Sequence, residues 1–425
     1  MKICLINYRY FVSSGPERYL FGVKELLEAR GHEVIPFSVR YSRNEPTPWA
    51  DYFVPPIAGE DEVRFRQHSW TVSSVRRALE RAFYSPEVHA SLARLLRDAR
   101  PDVAYVLHYM RKLSPAVLTA LHEAGVPTVV RFSDFAMVCP QAHLVRADRI
   151  CELCVGRSPW PSVPFRCVQG SLGASAVNAA AMEWARRKGY FELVDAFVAP
   201  SRVMVEKMVA GGLPAGKLHH LPTLVRARVP RPFGERARRV CFVGRIERIK
   251  GLVTLFDAWE LLQREGLRGV ELVLAGDLET PCGRSLEQRL RERPIPGVTL
   301  AGQLDEAGVV ELLQSSQLSV VPSLWYENTP NSLLESLACG TPVVTAELGS
   351  MCEMVCDTLA GVLFAPGDPV SLAAALRVAL DSPHLPEMGR AAHLLATTRY
   401  SPETHVKALL SLLEDVVYTR PAGAG

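Results

Sequence analysis

The sequence lacks any long apolar run. A transmembrane helix needs roughly 18 to 20 uninterrupted apolar residues, and no stretch of the 425-residue chain approaches that length. The opening segment MKICLINYRYFV is short and is interrupted by Arg9, so it predicts neither a signal peptide nor a membrane span. We therefore expect a cytoplasmic protein.

The sequence also lacks internal repeats and low-complexity tracts, apart from the short tail RPAGAG. Its ten cysteines are few for a chain of 425 residues, and without an export signal they favour reduced thiols or metal ligands over a disulfide framework. With 48% hydrophobic and 22% charged residues, the composition is that of a globular protein. The length suits two domains of roughly 200 residues each.

Charge is unevenly distributed along the chain. Residues 1–234 hold 31 Lys and Arg against 21 Asp and Glu, whereas the remainder holds 17 against 24. A basic first half predicts an anionic partner such as a lipid phosphate, an anionic glycan or a membrane surface. Plain solubility explains the same excess equally well. Peripheral binding to the inner face of a membrane is accordingly a further expectation.

Short apolar runs alternate with helical patterns in both halves of the chain. Each run is followed by a segment with helical apolar spacing, which predicts an α/β fold with parallel, doubly wound sheets. In the first half the predicted strands lie at 2–7, 34–37, 103–107, 127–132 and 195–199.

A segment rich in Pro and Arg, His220 to Arg239, separates the two halves. It has no apolar periodicity, so we predict an interdomain linker there. The predicted divisions are a first domain over 1–230, a linker over 231–239, a second domain over 240–398 and a last helical segment over 399–425.

The most informative segment is SLWYENTPNSLLESLACGTPVVTAELG, residues 323–349. Thr329 is a candidate N-cap, Pro330 suits the first helical position and Gly340 suits the end of the helix. Glu327 then precedes the helix and Glu335 lies on its second turn. Two carboxylates beside a helix start fit a ligand that carries hydroxyls at both ends and a diphosphate between them, which is the layout of a nucleotide sugar. Two solvated surface glutamates are the alternative.

Glu327-NTPNSLL-Glu335 resembles the Glu-x7-Glu signature of the retaining nucleotide-sugar glycosyltransferases of family 4, also called glycosyl transferases group 1. Upstream, CFVGRIERIKGLVTLFDAWELL resembles the family's strand, Gly-Arg turn and Lys-Gly helix start. LVLAGD and VTLAGQL, between these blocks, match the intermediate strand ends. The resemblance thus extends over the whole second half of the chain.

This resemblance implies the GT-B fold, in which two Rossmann-like domains face each other across a donor and acceptor cleft. The second domain binds the donor, the first binds the acceptor, and the last helix crosses back to the first domain. The implied activity is transfer of a sugar from a nucleotide-diphosphate sugar to a glycan or lipid-linked hydroxyl with retention, in bacterial polysaccharide or glycolipid assembly. No nucleic-acid partner is expected. A nucleotide-sugar-binding scaffold without transfer activity and an epimerase of related fold are the alternatives.

The resemblance also assigns roles at the donor site. Arg245, after Gly244, and Lys250 would offset the charge of the diphosphate and of the leaving nucleotide. Glu335 would bond the ribose hydroxyls, and Glu327 would contact the donor sugar. The chain has no Asp-x-Asp motif, so the resemblance implies catalysis without a metal or other cofactor. The loop over the phosphates would comprise Asn328, Thr329, Pro330, Asn331 and Ser332.

Two positions in the first half depart from the family pattern. Gly15 matches the second glycine of a Gly-Gly turn that approaches the diphosphate, but Ser14 replaces the first. Ser133 stands where the family commonly has a histidine before an aspartate. Asp134 remains a candidate for orienting the acceptor hydroxyl or accepting its proton, with a structural carboxylate as the alternative. His108 ends a neighbouring predicted strand and is a further candidate.

Four cysteines lie in or beside a predicted insertion over about 139–170. Cys139, Cys151, Cys154 and Cys167 have the spacing C-x11-C-x2-C-x12-C, and a CxxC with two further cysteines can hold a tetrahedral structural zinc. Free thiols and a disulfide or other redox role remain alternatives.

Basic and aromatic residues are mixed in RFRQHSWTVSSVRRALERAFY, residues 64–84. Such a segment could lie on a membrane surface beside a lipid-linked acceptor. A helix packed on the sheet is the alternative.

Overall fold

The computed structural model describes residues 1–13, 15–59 and 71–419. The chain divides into two compact units. The first unit comprises Met1–Leu144, Glu152–Leu221 and the residues from Val406 onward, and the second comprises Val145–Cys151 and Pro222–His405. Ser14, Arg64–Trp70 and the tail, to which several sequence predictions refer, lie outside the described residues.

Parallel strands form the central sheet of the first unit. Within the described residues the strands up to His220 are β1 (Lys2–Asn7), β2 (Glu33–Phe37), β3 (Val103–His108), β4 (Thr128–Arg131), β5 (Val145–Arg146), β6 (Arg149–Ile150), β7 (Ala196–Ala199) and β8 (Leu218–His220). Six of them form one sheet in the order β2-β1-β3-β4-β7-β8, and all of its paired neighbours are parallel. β5 and β6 instead form a small antiparallel hairpin that belongs to the second unit.

Helices connect these strands, as the alternating pattern predicts. They are α1 (Gly15–Glu28), α2 (Val72–Phe83), α3 (Pro86–Ala99), α4 (Ala116–Glu123), α5 (Leu172–Arg187) and α6 (Arg202–Ala210). Hydroxyl side chains stabilise several of their starts by accepting a backbone N–H, which otherwise lacks an intrahelical partner. The capping residues are Thr71, Ser85, Ser171 and Ser201.

The second unit repeats the same architecture. Its sheet has the order β11-β10-β9-β12-β13-β14, again with parallel neighbours. The strands are β9 (Ala237–Val243), β10 (Glu271–Ala275), β11 (Val298–Gly302), β12 (Ser316–Val321), β13 (Val343–Ala346) and β14 (Gly361–Phe364). The helices are α7 (Leu252–Arg264), α8 (Pro281–Glu292), α9 (Glu306–Ser315), α10 (Asn331–Ala338), α11 (Gly349–Val355), α12 (Pro369–Leu380) and α13 (Leu385–Thr397). The last helix, α14 (Pro402–Thr419), begins in this unit and belongs to the first unit from Val406 onward.

The core of the second unit lies between its sheet and its helices. Every residue of β13 is buried, because helices cover both faces of a parallel sheet. Phe256 and Trp259 of α7 have no exposed surface and anchor this core. The two parallel sheets confirm the α/β, doubly wound prediction.

The segment predicted as a linker contains structural elements of the second unit. The units divide at Leu221/Pro222, and β9 already begins at Ala237. Arg236, within the predicted linker over 231–239, is 6% exposed and donates to Thr341 Oγ1 at 2.9 Å and to the Cys339 carbonyl at 3.1 Å. The Pro and Arg content of this segment predicted a linker, but the buried guanidinium of Arg236 joins the segment to the second unit.

Each sheet has one point at which the chain reverses its direction of growth. In the first unit the chain adds β2 on one side of β1 and then β3 on the other. In the second unit it adds β10 and β11 on one side of β9 and then β12 on the other. In open parallel sheets, ligands bind at the carboxyl ends of the strands at such a switch point. Ligands are therefore expected at the loops that follow β1 and β3 and at those that follow β9 and β12.

Candidate active site

Two loops meet at the switch point of the second unit. One follows β9 and ends in a short 3₁₀ turn, Arg248–Lys250, and the other follows β12. They are joined by a backbone hydrogen bond from Leu324 N to Ile249 O of 2.8 Å. This contact positions Lys250 beside the residues that follow Pro322.

Gly251 makes the close approach of the two loops possible. Its φ is +74°, a left-handed conformation that disfavours side chains, and a Cβ at this position would lie 1.8 Å from the carbonyl oxygen of Pro322. The Lys-Gly pair seen in the sequence thus has a structural reason: the glycine allows the contact that places the lysine.

Glu327 is the central carboxylate of this site. It is 7% exposed, and its Oε1 accepts from Lys250 Nζ at 2.5 Å, from Ser323 Oγ at 2.7 Å and from the indole Nε1 of Trp325 at 2.7 Å. Burial by itself raises the pKa of this carboxyl. The charge of Lys250 and the three hydrogen bonds outweigh burial, so the pKa of Glu327 is lowered from its ordinary value and the side chain is ionised near neutral pH.

The two oxygens of Glu327 have different surroundings. All three donors bind Oε1, and within the part of the chain that the structure describes no protein group donates to Oε2. The backbone of the residue is also fixed, because Ser350 Oγ donates to the Glu327 carbonyl at 2.7 Å. The result is a rigid, ionised carboxylate with one oxygen available to a ligand.

α10 begins directly after the Glu327 loop, but its first turn differs from the prediction. Pro330, rather than Thr329, occupies the N-cap position, and the helix begins at Asn331. The predicted cap is wrong because Thr329 Oγ1 donates to the carbonyl of Asn328 at 2.8 Å instead of accepting from the helix. No side chain of the described residues caps this end, so the amides of Asn331 and Ser332 are not taken by a cap.

Arg245 and Glu335, both predicted site residues, do not join the Lys250–Glu327 contact. Arg245 follows Gly244 at the end of β9, but its side chain is 61% exposed and pairs with Glu247 at 2.9 Å. Glu335 lies half-buried on the second turn of α10. The structure thus separates Lys250, which is 16% exposed and pairs with a buried carboxylate, from Arg245, which extends towards solvent.

In the first unit, a second polar cluster lies at the switch point between β1 and β3. Glu17, near the start of α1 at Gly15, is 1% exposed and pairs with Arg9 at 3.3 Å. His108 Nε2 at the end of β3 lies 3.8 Å from Asp134 Oδ2. The structure therefore brings the two alternative acceptor-side candidates together.

Burial lowers the pKa of His108 from its ordinary value, and the nearby Arg111 and Arg9 act in the same direction. Asp134 and Glu17 oppose the shift. His108 is consequently a neutral imidazole near neutral pH, with an edge-on contact to the Tyr8 ring at a centroid distance of 4.8 Å.

Asp134 and Ser133 also have structural contacts. Asp134 Oδ1 accepts from the Ala136 amide at 2.8 Å, which leaves Oδ2 on the side of His108. Ser133 Oγ donates to the carbonyl of Leu107 at 3.0 Å, so the residue that replaces the family histidine is bound to the strand that carries His108.

The predicted zinc ligands form no metal cluster. Among the described residues, which include Cys139, Cys151, Cys154 and Cys167, no three His, Cys, Asp or Glu side chains are grouped so as to hold a metal ion. None of the four is in a disulfide, and Cys154 Sγ contacts the carbonyl of Pro159 at 3.8 Å. The sequence between Cys139 and Cys154 contains the β5–β6 hairpin. This hairpin belongs, together with Cys151, to the second unit, whereas Cys139, Cys154 and Cys167 belong to the first unit.

The described part of the basic aromatic segment is the helix α2. Val72, Val75 and Leu79 are 89%, 42% and 41% exposed and recur at helical spacing on one face. The opposite side packs through Arg81, which is fully buried and pairs with Glu87 at 3.0 Å. One face of α2 is therefore packed, and the opposite face is exposed. Among the described residues, no helix has both the length and the apolar character to cross a bilayer.

Ser323 and Trp325 are site residues that sequence reasoning missed. Both lie within the segment already singled out, four and two residues before Glu327. The available signal was a tryptophan in a polar loop, because a buried indole N–H needs an acceptor. On the acceptor side, Arg9 and its partner Glu17 were also missed.

Known protein families match both halves of the chain. The family model for glycosyl transferases group 1 matches residues 237–382, and that for a glycosyl transferase 4-like domain matches residues 14–223. The chain is 27% identical over 407 residues to a glycogen synthase of Mycobacterium tuberculosis, covering 90% of this chain and 87% of the relative. It is 26% identical over 428 residues to a phosphatidyl-myo-inositol mannosyltransferase of Mycobacterium leprae, covering 98% and 97%.

Solved structures share the fold. The sucrose-phosphate synthase of Thermosynechococcus elongatus superimposes with a TM-score of 0.70 at 17% identity, covering 99% of this chain and all of the other. Anabaena HepE, solved with UDP and glucose, gives a TM-score of 0.62 at 17% identity and covers 97% and 99%.

Proposed function

Because the chain belongs to the group 1 glycosyl transferases, we propose that it moves a sugar from a nucleotide-diphosphate sugar to an acceptor hydroxyl with retention of the anomeric configuration. The observation that carries the proposal is the buried Lys250–Glu327 pair, which lies beside an uncapped helix start at a sheet switch point. A cation, an ionised acceptor and free amides are together what a charged sugar nucleotide needs.

The donor site follows from the chemistry of these groups. The amides of Asn331 and Ser332 and the ammonium of Lys250 bind the diphosphate, and Oε2 of Glu327 accepts from a hydroxyl of the sugar. Glu335 takes the ribose hydroxyls. HepE, which shares the fold, forms a complex with UDP and glucose, and this supports a donor of the same class.

Transfer then proceeds on one face of the sugar. The bond from the anomeric carbon to the diphosphate oxygen breaks, the acceptor oxygen bonds to the same carbon, and the acceptor proton passes to the departing phosphate. Lys250 stabilises the charge that develops on that phosphate. Arg245, whose side chain is 61% exposed, exchanges Glu247 for a phosphate and adds a second cation, so that no metal ion is required.

The acceptor site is proposed for the first unit. His108 is neutral and can accept or donate one hydrogen bond, and the adjacent Asp134 Oδ2 can orient an acceptor hydroxyl. The relatives named above act on glycogen and on phosphatidyl-myo-inositol by their names, which supports a glycan or glycolipid hydroxyl as the acceptor.

A membrane-facing role for α2 is part of this proposal. Its exposed face, formed by Val72, Val75 and Leu79, carries Arg76, which is 81% exposed and pairs with Glu80 at 2.8 Å. An apolar stripe beside a basic residue suits an anionic lipid surface. We expect Val75→Asp/Leu79→Asp to reduce sedimentation with vesicles containing phosphatidylglycerol. Equal sedimentation of both proteins, or no dependence on anionic lipid, would exclude this surface.

The decisive experiment is a panel of nucleotide sugars assayed by thermal shift without divalent metal. One donor should raise the melting temperature, and Glu335→Ala and Lys250→Ala should weaken that effect. Glu271→Ala is the matched control, since this carboxylate is 56% exposed and lies at the amino end of β10, whereas the site lies at the carboxyl ends of the strands. The best donor is then tested for turnover with a glycan and a lipid acceptor. Donor binding without turnover on any acceptor would favour the scaffold alternative.

A further inference from the structure

We propose that Ser323 and Trp325 are positioning residues, which keep Glu327 fixed and ionised when Lys250 turns to the donor diphosphate. The inference rests on the proposed donor site. It explains why one carboxylate oxygen receives three protein donors while the other receives none among the described residues.

Lys250 has two anionic partners in the proposed function, the Glu327 carboxylate and the donor diphosphate. In this structure its ammonium contacts Glu327 Oε1, whereas the proposed reaction needs it at the diphosphate. A diphosphate carries more charge than one carboxylate and is the stronger partner for an ammonium. Donor binding therefore draws Lys250 away from Glu327, at least in part.

Without other donors, Glu327 would respond by taking up a proton. The side chain is only 7% exposed, and burial favours the neutral acid. A protonated carboxyl is a weaker acceptor for a sugar hydroxyl, so the site would lose the interaction when the donor arrives. Ser323 and Trp325 prevent this loss, because their neutral hydrogen bonds to Oε1 remain when Lys250 moves.

The arrangement also fixes which oxygen faces the ligand. Both positioning residues lie on the same loop as Glu327, and both donate to Oε1, so the carboxylate cannot rotate without breaking two bonds of 2.7 Å. Lys250 is the charged group that faces the carboxylate, and the contact from α11 is the Ser350 hydroxyl on the Glu327 backbone carbonyl. Oε2 is thereby presented to the donor sugar.

Trp325→Phe and Ser323→Ala test this inference. Phenylalanine keeps a ring near Lys250, whose Nζ lies 5.5 Å from the centroid of the Trp325 ring, but removes the indole donor. The readout is the affinity for UDP-glucose and GDP-mannose as a function of pH. Each variant should bind about tenfold more weakly near neutral pH, as expected for loss of a hydrogen bond to a charged group. The acid limb of its affinity profile, meaning the low-pH range in which binding weakens as Glu327 takes up a proton, should move to higher pH.

The matched control is Trp259→Phe. Trp259 lies in the core of the same unit, and its indole Nε1 has no hydrogen-bond partner among the described residues. This variant should melt at a lower temperature, yet leave the acid limb of donor binding unchanged. An unchanged acid limb in Trp325→Phe and Ser323→Ala would overturn the positioning role, even if affinity fell.

A second readout separates this inference from the proposed function. The gap in melting temperature between the wild type and Trp325→Phe should widen as the pH rises through the acid limb, because the indole stabilises the ionised carboxylate. If neither nucleotide sugar binds the wild type, the proposed donor site is wrong. The difference in melting temperature still shows whether Trp325 stabilises the ionised Glu327 carboxylate. A gap that is independent of pH would overturn the inference whatever the donor.

Discussion

At the scale of single residues, the two cations that the sequence placed in one role have different environments. Lys250 is 16% exposed and faces a buried carboxylate, whereas Arg245 is 61% exposed and pairs with a surface glutamate. Removing one partner of a buried ion pair leaves an uncompensated charge, while an exposed pair contributes little. Stability and donor binding are therefore expected to separate at these two positions.

We expect Lys250→Ala to destabilise the second unit by about 3 kcal/mol and Arg245→Ala by less than about 1 kcal/mol. Both should lower kcat/KM if both cations stabilise the leaving group. Thermal melting and steady-state kinetics measure the two effects. Equal destabilisation by the two substitutions would contradict the environments described above, and loss of turnover in Lys250→Ala alone would remove Arg245 from the mechanism.

His108 gives a pH prediction for the first unit. Its pKa is lowered from the ordinary 6.5 by burial, so the unfolded chain takes up this proton more readily than the folded chain. Its contribution to stability is complete above the unfolded pKa and is lost as the pH falls below it. Melting temperatures measured from about pH 7.5 to about pH 5 should fall less steeply for His108→Gln than for the wild type. Parallel curves would show that this imidazole is not held neutral.

At the scale of elements, the 3₁₀ turn that carries Lys250 depends on one glycine. Gly251 and Gly269 both have positive φ, of +74° and +66°, but only Gly251 would clash, because a Cβ at Gly269 meets nothing within 4 Å. Gly269→Ala should lower the free energy of unfolding by about 1 kcal/mol, because alanine is disfavoured in a left-handed backbone conformation. Gly251→Ala should cost on the order of 3 kcal/mol.

Donor binding provides the specific readout for this pair of glycine variants. Gly251→Ala separates the two loops that hold Lys250 and Glu327, so nucleotide-sugar affinity should fall sharply. Gly269→Ala lies outside these loops and should bind the donor as the wild type does. Similar affinities of the two variants, measured by titration calorimetry, would show that the loop contact does not shape the site.

Periodicity and turn chemistry predicted most of the elements but not the contacts of the site. The strand at 2–7 and the sheets' parallel character follow from short apolar runs separated by helical patterns, which are local signals. The N-cap predicted for α10 was wrong because the Thr329 hydroxyl donates to the carbonyl of Asn328, and this contact depends on loop conformation. The bond from Trp325 to Glu327 is close in sequence, but no pattern specifies its geometry.

At the scale of the whole chain, the two units serve different ligands in the proposed function. UDP or another nucleotide that binds the second unit should slow hydrogen exchange in the 3₁₀ turn Arg248–Lys250, the loop after β12 and the first turn of α10. Exchange in β1 and β3 of the first unit should change less. Mass-spectrometric exchange with and without nucleotide measures this pattern. Protection confined to the first unit would show that the nucleotide binds at the switch point of that unit, which would contradict the proposed donor site.

The covalent order of the chain and its division into units do not coincide. The hairpin Val145–Cys151 lies in the first half of the sequence yet belongs to the second unit, where Asp148 pairs with Arg248 at 3.0 Å. The first unit likewise includes most of α14, from Val406 onward. A fragment cut at Leu221 would deprive each unit of a piece encoded in the other half. Neither half is therefore a self-sufficient cassette for expression or domain exchange, and chimeras between relatives should carry the hairpin and the last helix with the unit that each completes.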